Sequence, residues 1–369
     1  MNCNNDLIYK IALTRIKGMN MLMARLLLES FGEVREIFSC KQDILQKVSG
    51  LQSPVFADDK RQKAKEQALK EAEFIEKNKI TPLFFTDPDY PSRLLECVDA
   101  PLMLYYRGNA DLNVSRIISI VGTRHATNYG RGFCTEFIND LSQIFPESII
   151  VSGLAYGIDI AAHRAALQAG LQTIGVLAHG LNTLYPPVHR QTAIEMLSHG
   201  GLLTEYISQQ LLHRGNFIAR NRIVAGLSDA TVIVESAEKG GALITAGIAS
   251  GYSRDVFALP GRIGDTYSKG CNRLIACNQA ALITSAEDFI DAMCWERPLK
   301  KEIQPSLFSE VNEQEETILK ILQDKGECQI EQLTIFTDRP APEILASLLE
   351  LEFKGLIQAY PGGVYRRVK

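Results

Sequence analysis

The sequence predicts an α/β protein built on a mainly parallel sheet, preceded by a helical segment and followed by a small helix-and-hairpin module. Three observations carry this. From about Ile117 to Ala292 short apolar runs alternate with helical patterns, which implies right-handed crossovers between parallel strands. Runs such as Thr231 to Val234 are apolar and β-branched throughout, as expected of a strand covered on both faces. Beyond residue 311, three helical segments precede two strand-like runs.

A length of 369 residues predicts two or three domains. The boundaries expected are a helical domain with a charged linker helix over 1–80, the α/β domain over 81–296, a linker over 297–310 and a C-terminal module over 311–369. The 46% hydrophobic and 22% charged residues fit a soluble globular chain. No apolar run reaches membrane-spanning length and Met1 to Lys10 lacks signal-peptide order, so the expected location is cytoplasmic, with no membrane partner. The 8 cysteines are scattered without C-x-x-C, so no metal site, disulfide framework or cofactor is expected.

In the first fifty residues Leu7, Ile8, Ile11 and Leu13 form one apolar stripe, and Leu22, Leu26, Leu27 and Phe31 a second. Ile16 to Asn20 and Val48 to Leu51 make Ile-x-Gly-like turns. Such pairing resembles the SAM or helix-hairpin-helix class, whose backbone amides touch DNA phosphates, although Asn20 replaces the usual second glycine; a purely structural cap is the other reading. Asp58 to Lys79, rich in interleaved Lys and Glu, predicts a solvated linking helix. An extended segment from Pro82 leads through Tyr90-Pro91 and Leu104 to Gly108 into the α/β region.

There, Ile117–Val121, Ile149–Ser152, Thr173–Leu177, Leu202–Thr204, Thr231–Val234, Val256–Leu259 and Ala281–Ile283 are the strand candidates. Ligands on such sheets bind beyond the carboxyl ends of the strands. Three turns fall at such ends. Gly122-Thr123-Arg124 offers a guanidinium that can hold a phosphate and stack on a base. Ser152-Gly153-Leu154-Ala155-Tyr156-Gly157 lets a ligand approach the backbone, and Asp159 is assigned to capping the next helix; it is not the G-x-G-x-x-G of dinucleotide enzymes. Lys239-Gly240-Gly241, opening a helix that holds Thr245, offers free amides and a positive helix end. His163 is read as a packing residue.

Tyr206 to Ser228 contains no Asp or Glu but holds His213, Arg214, Arg220, Asn221 and Arg222, with the arginines expected at the solvent edge of an amphipathic helix. Such local positive charge in a chain of net charge -4 is the footprint of a groove for an anionic polymer. Arg262, Lys269 and Arg273 add donors further on. Catalytic residues are not indicated, since G-x-S-x-G, metal-spaced histidines and a Walker lysine are all missing. Glu235, at a strand end, is read as a ladder or cap residue, with a general-base role as the alternative.

Y-P-S-R-L-L from Tyr90, V-G-T-R at Val121 to Arg124, S-G-L-A-Y-G-I-D from Ser152, R-N-R-I-V-A-G-L-S from Arg220 and G-G-A-L-I-T-A from Gly240 together resemble the DNA-processing protein A (DprA/Smf) family over about Phe84 to Ile290. The resemblance implies an extended Rossmann domain that binds single-stranded DNA, protects it and helps load a RecA-type recombinase in natural transformation, and it implies a homodimer. It also implies that Arg124, Arg220 and Arg222 line the pocket. Ile218 departs from the proline usual in F-P-x-R-N-R, which leaves the helix entry open.

In the C-terminal module Thr317–Leu322, Ile330–Leu333 and Ile344–Leu351 are helical, and Leu356–Tyr360 and Val364–Arg367 flank Pro361-Gly362-Gly363. Three helices and a hairpin describe a winged helix. Its recognition helix carries Glu343, Glu350 and Glu352 against Lys354, a poor fit to the major groove. The module is therefore expected to contact protein, or DNA marginally through Arg366, Arg367 and Lys369. Two functions stand at this stage. One is a non-enzymatic single-strand binder; the other is a nucleotide-processing Rossmann enzyme, such as a nucleoside monophosphate glycosidase, with Glu235 catalytic.

Overall fold

The computed structural model describes residues 3–50, 56–297, 312–360 and 362–368, which fall into two compact units divided after Pro298. The proposed linker from 298 onward, Leu51, Pro361 and Lys369 lie outside the described residues.

Helices α1 (Cys3–Thr14), α2 (Met21–Phe31), α3 (Val34–Ser39), α4 (Gln42–Ser49) and α5 (Asp58–Asn78) come first. Gly18 and Gly50 both take positive φ at the two expected turns, and Asn20 caps α2 by accepting from Met23 N at 2.9 Å. The buried row of α2 is Met21, Ala24 and Leu27, while Leu22 is 67% exposed and Leu26 is also on the surface. A leucine-rich helix offers rival apolar faces, and packing, not period, chooses between them. α5 is likewise no solvated linker. Ala64, Ala68, Ala72 and Ile75 line one face that packs closely on α1. Alanine adds little hydrophobicity to a pattern but lets two helices approach. On the same helix Glu71 is buried and accepts from Ser208 N at 2.9 Å and Ser208 Oγ at 2.5 Å. One apolar core runs from Ile11 and Leu27 through Tyr105 to Val224, so the helical segment and the sheet share an interior.

The chain then gives β1 (Thr81–Phe84), α6 (Ser92–Leu95), β2 (Met103–Gly108), β3 (Ile117–Val121), α7 (Asn128–Ile144), β4 (Ile149–Ser152), α8 (Ile158–Gln168), β5 (Gln172–Val176), α9 (Arg190–Met196), β6 (Gly200–Thr204) and α10 (Arg214–Gly226). There follow β7 (Ala230–Ile233), α11 (Gly241–Gly251), β8 (Asp255–Ala258), α12 (Lys269–Ala276), β9 (Ala281–Leu282) and α13 (Ala286–Ala292). These strands form one sheet in the order β1-β2-β6-β5-β4-β3-β7-β8-β9. β3 to β9 are parallel to their neighbours, while β2 runs antiparallel to β6 and β1 to β2. The architecture is the expected extended Rossmann-like sheet. Alternate residues face opposite cores: Ile117 and Val121 pack with α10 and α11, Ile118 and Ile120 with α7 and α13. After β6 the chain returns to place β7 on the far side of β3. That reversal makes the carboxyl ends of β3, β4 and β7 a topological switch point, where such sheets open a crevice.

The second unit holds α14 (Glu313–Lys325), β10 (Glu327–Gln329), α15 (Ile330–Thr337), α16 (Ala341–Phe353), β11 (Ile357–Tyr360) and β12 (Val364–Arg367), with sheet order β10-β12-β11. This is a winged helix around Leu322, Leu333, Leu348 and Leu351. At the start of α14, Asn312 and Glu315 form a reciprocal capping box, and Lys354 donates to both buried Glu315 oxygens at 2.8 Å. Burial alone would raise the Glu315 pKa, but the hydrogen bonds from Lys354 and Asn312 outweigh it and hold the carboxyl below its ordinary value. A carboxylate held down contributes stability above its unfolded pKa and loses it as pH falls through the folded one. The C-terminal unit should therefore weaken below about pH 4, and Glu315→Gln should destabilise it at pH 7 far more than at pH 3. Thermal melts of the full chain at the two pH values check this; equal penalties would refute it.

Candidate functional site

The crevice at the switch point is a cleft of about 740 Å³. Its floor comes from Val121 to Arg124 after β3 and Ala155 after β4, one wall from Ser236 to Thr245 after β7, and the other from α10. The sequence places the last of these by ending β6 in a loop that α10 re-enters at Arg214, capped by the His213 ring accepting from Gly215 N at 3.1 Å. The helix runs unbroken through Ile218, which is 54% exposed and lines the cleft. A side chain in place of the proline usual there keeps its N–H and leaves that turn intact.

α11 begins at the wall without a side-chain cap, its Ncap Gly240 extended. The first-turn amides are therefore left to the cleft, together with the positive end of the helix dipole. Lys239, Gly240 and Gly241 are exposed around it. Thr245 is buried beneath, donating to Gly241 O at 3.1 Å, and Asn221 reaches Gly241 O at 3.5 Å. Across the opening, exposed Arg124 lies 5.7 Å over the Phe217 ring, which meets Tyr185 edge-on at 5.7 Å. Thr123 is held below by Thr123 N donating to Glu235 O at 2.7 Å. Arg214 adds another exposed cation.

Not every residue singled out in the sequence belongs to this opening. Arg220 does line the cleft, but as a buried residue and not at a solvent edge: it is 5% exposed, donating Nη1 to Val176 O at 2.6 Å, because its side chain points into the space above β4 and β5. There it lies flat against Gly153, where a Cβ would come within 1.9 Å of Nη1. Gly153 is thus a seat for Arg220 and not an approach for ligand. Gly157, at φ +81, packs on the backbone of Thr123 and Arg124, and Ser152 Oγ is spent on Ile120 O at 2.6 Å. Asp159 does not cap its helix. It turns back to accept from Gly153 N at 3.2 Å and Ala155 N at 3.4 Å, so these two amides of the second turn are already occupied. Of that turn Ala155 and Asp159 line the cleft.

Burial raises the Asp159 pKa and lowers that of Arg220, and the opposite charge of each resists the shift of the other. Arg222, two positions on, faces away. It pairs with Glu205 and donates to Asp99 O at 2.6 Å, in a separate hollow of about 380 Å³. Two residues apart on a helix is about 200°, enough to separate the two arginines completely. Lys269, exposed at the start of α12, does not line the cleft.

His163 is buried and hydrogen-bonded to Thr173 Oγ1 at 2.7 Å. Thr173 gives its own proton to Ile150 O at 2.8 Å, so His163 Nδ1 is the donor of that pair. Burial, aided by the Arg220 charge, pulls its pKa down to about 3, and the ring is a neutral packing group as expected. Glu235 holds Thr127, the N-cap of α7, by accepting from Thr127 N at 2.9 Å and Thr127 Oγ1 at 2.6 Å, and it is not among the lining residues. Glu235→Ala should cost about 1–2 kcal/mol in urea denaturation and leave ligand affinity unchanged. Lost affinity with unaltered stability would contradict the assignment.

Tyr185, Phe217, Arg214 and His125 line the cleft as well. Tyr185, outside any motif, carries no sequence signal for such a place; Phe217 opens the F-I-A-R-N-R run and Arg214 lies in the acid-free stretch, so both had one.

The DNA recombination-mediator protein A family profile matches residues 81–294 and that of the DprA winged helix domain residues 304–363. Protein Smf from Synechocystis is 32% identical over 99% of both chains. Among solved structures, DNA processing protein A from Streptococcus pneumoniae matches with a TM-score of 0.67 and 32% identity, covering 79% of this chain and 98% of that one. DNA processing protein A from Helicobacter pylori, solved for its single-stranded DNA binding mode, matches with a TM-score of 0.54 and 29% identity over 60% of this chain and 98% of that one.

Proposed function

Because the chain belongs to the DNA recombination-mediator protein A (DprA/Smf) family, we propose that it binds single-stranded DNA in the switch-point cleft without cutting it. The observation that carries this is the meeting of an uncapped helix N-terminus with Arg124, Arg214 and Lys239 in one opening. Asp159 is the sole carboxylate among the described lining residues, and its charge is taken up by two backbone amides and by Arg220. Phosphates are drawn in by amides and cations, and Phe217 and Tyr185 supply apolar faces for bases. Glu235, the general base of the enzyme reading, is instead engaged with Thr127 and does not line the cleft.

In the cell the bound strand is protected and passed to a RecA-type recombinase, in the setting of natural transformation, by a homodimeric cytoplasmic protein. Support for these finer points is the family resemblance; among the described residues, no helix is long and apolar enough to cross a membrane. The winged helix serves a protein contact. Its α16 presents Leu345, Leu349 and Phe353 on the surface beside Glu343, Glu350 and Glu352, a face that repels the phosphates of a duplex.

Titration of labelled oligothymidylate and of duplex at two salt concentrations, with nucleoside monophosphate turnover assayed in parallel, tests the proposal. Single-strand preference is expected, with a log–log salt slope of about -0.7 per phosphate neutralised. Turnover abolished by Glu235→Gln would instead establish the enzyme.

A further inference from the structure

The cleft is bounded on its β8 side by two rings that no motif contains. His125, exposed at the cleft floor, is stacked on Tyr267 with centroids 5.9 Å apart and planes at 24°. Tyr267 is half-buried and anchored from behind. Ser236 N donates to Tyr267 O at 2.6 Å, and Gly270 N donates to Ser236 O at 2.9 Å. Gly270 is pressed so closely on Ser236 and Ala237 that a Cβ would meet Ala237 O at 2.5 Å. The segment from Tyr267 to Gly270 is therefore strapped to the same turn that forms the cleft wall. His125 N in turn donates to Thr123 Oγ1 at 3.1 Å, which fixes the floor beneath the ring.

Past this pair lie exposed Lys269, Arg273 and Arg262, with Asp265 the one acid between Pro260 and Arg273. Asn272 locks the turn that carries Arg262, donating to Gly261 O at 2.8 Å and accepting from Gly261 N at 3.1 Å. A pre-stacked, backbone-anchored ring pair with a free outer face, followed by cations on a fixed turn, has the makeup of a nucleotide subsite: a π-face for a base and positive charge for the next phosphates.

We propose that His125, backed by Tyr267, is a base-stacking platform that carries single-stranded DNA out of the cleft toward α12, where Lys269 and Arg262 meet its phosphates. This extends the single-strand reading above and rests on it. The platform is indifferent to base identity, because every base has a face to offer. It lengthens the site beyond the nucleotides that the cleft itself encloses.

The test uses the full-length protein and twelve-residue oligothymidylates carrying 2-aminopurine at successive positions, since stacking quenches that fluorophore. Wild-type protein should quench most strongly at one position toward one end. His125→Ala should abolish that quench and weaken binding roughly tenfold. His125→Phe should restore both, because the ring and not its nitrogens is what the base touches. His125→Ala with unchanged quench and affinity overturns the platform, and so does a His125→Phe as weak as the alanine variant. If instead the wild-type protein binds no oligonucleotide, the single-strand reading itself falls; binding that Arg124→Glu removes but His125→Ala leaves intact retires the platform alone.

Discussion

Arg220→Glu is expected to lower the melting temperature of the N-terminal unit by several degrees, with no nucleic acid present. The guanidinium is enclosed over Gly153, gives a hydrogen bond to Val176 O and balances the buried Asp159 charge. Reversal would leave that carbonyl unpaired and set two carboxyl groups together in a low-dielectric pocket. Breaking a buried charge arrangement from one side costs about 3–5 kcal/mol, and for a unit of this size that reads as several degrees. Differential scanning calorimetry checks it, and a melting curve superimposable on wild type would show that Arg220 is not the internal brace described. Weak binding by such a variant would be a consequence of a displaced turn, so it could not by itself locate a DNA contact.

Arg124→Glu should behave in the opposite way. The side chain is exposed and rests on Phe217, and its loss disturbs no buried partner. Affinity for oligothymidylate should fall by at least about 2 kcal/mol, roughly 30-fold, because a charge-assisted hydrogen bond to phosphate is replaced by repulsion. The log–log salt slope should become shallower by about 0.7 while the melting temperature stays put. Wild-type affinity in this variant, measured by anisotropy at low salt, would remove the cleft as the DNA site.

The contrast between these two arginines shows where sequence reasoning reaches its limit. The parallel strands were legible to within a residue or two, because β-branched runs such as Ile117–Val121 leave few alternatives. The α11 turn was legible too, since Lys239-Gly240-Gly241 lies between a buried strand and a helical run. What decides Arg220 is non-local: the glycine that admits its guanidinium comes from the turn after β4 and the carbonyl that binds it from the end of β5, more than one crossover away in the chain. Helical period alone put Arg220 and Arg222 together at a solvent edge, and neighbouring strands sent them to different environments. Asp159 differs for a local reason: its amide partners, Gly153 and Ala155, lie only six and four residues before it, in a turn whose shape helical period does not describe. The alanine face of α5 was hidden by its charges, and His125 and Tyr267 lie far apart in sequence with no pattern joining them.

The interior that α1 to α5 share with the sheet sets an order of events for the emerging polypeptide. These helices are synthesised before the sheet, yet Tyr105 and Val224, which complete their packing, arrive later, and Ser208, which reaches Glu71, lies 137 positions further along the chain. Closing loops of that span is entropically slow, so the helices can pair with one another, α5 on α1, before the sheet that completes their core has formed. Completion of this half must wait for the return of the chain through β6 and α10, and a nascent protein paused before that point holds Glu71 without its Ser208 donors and the shared core without Val224.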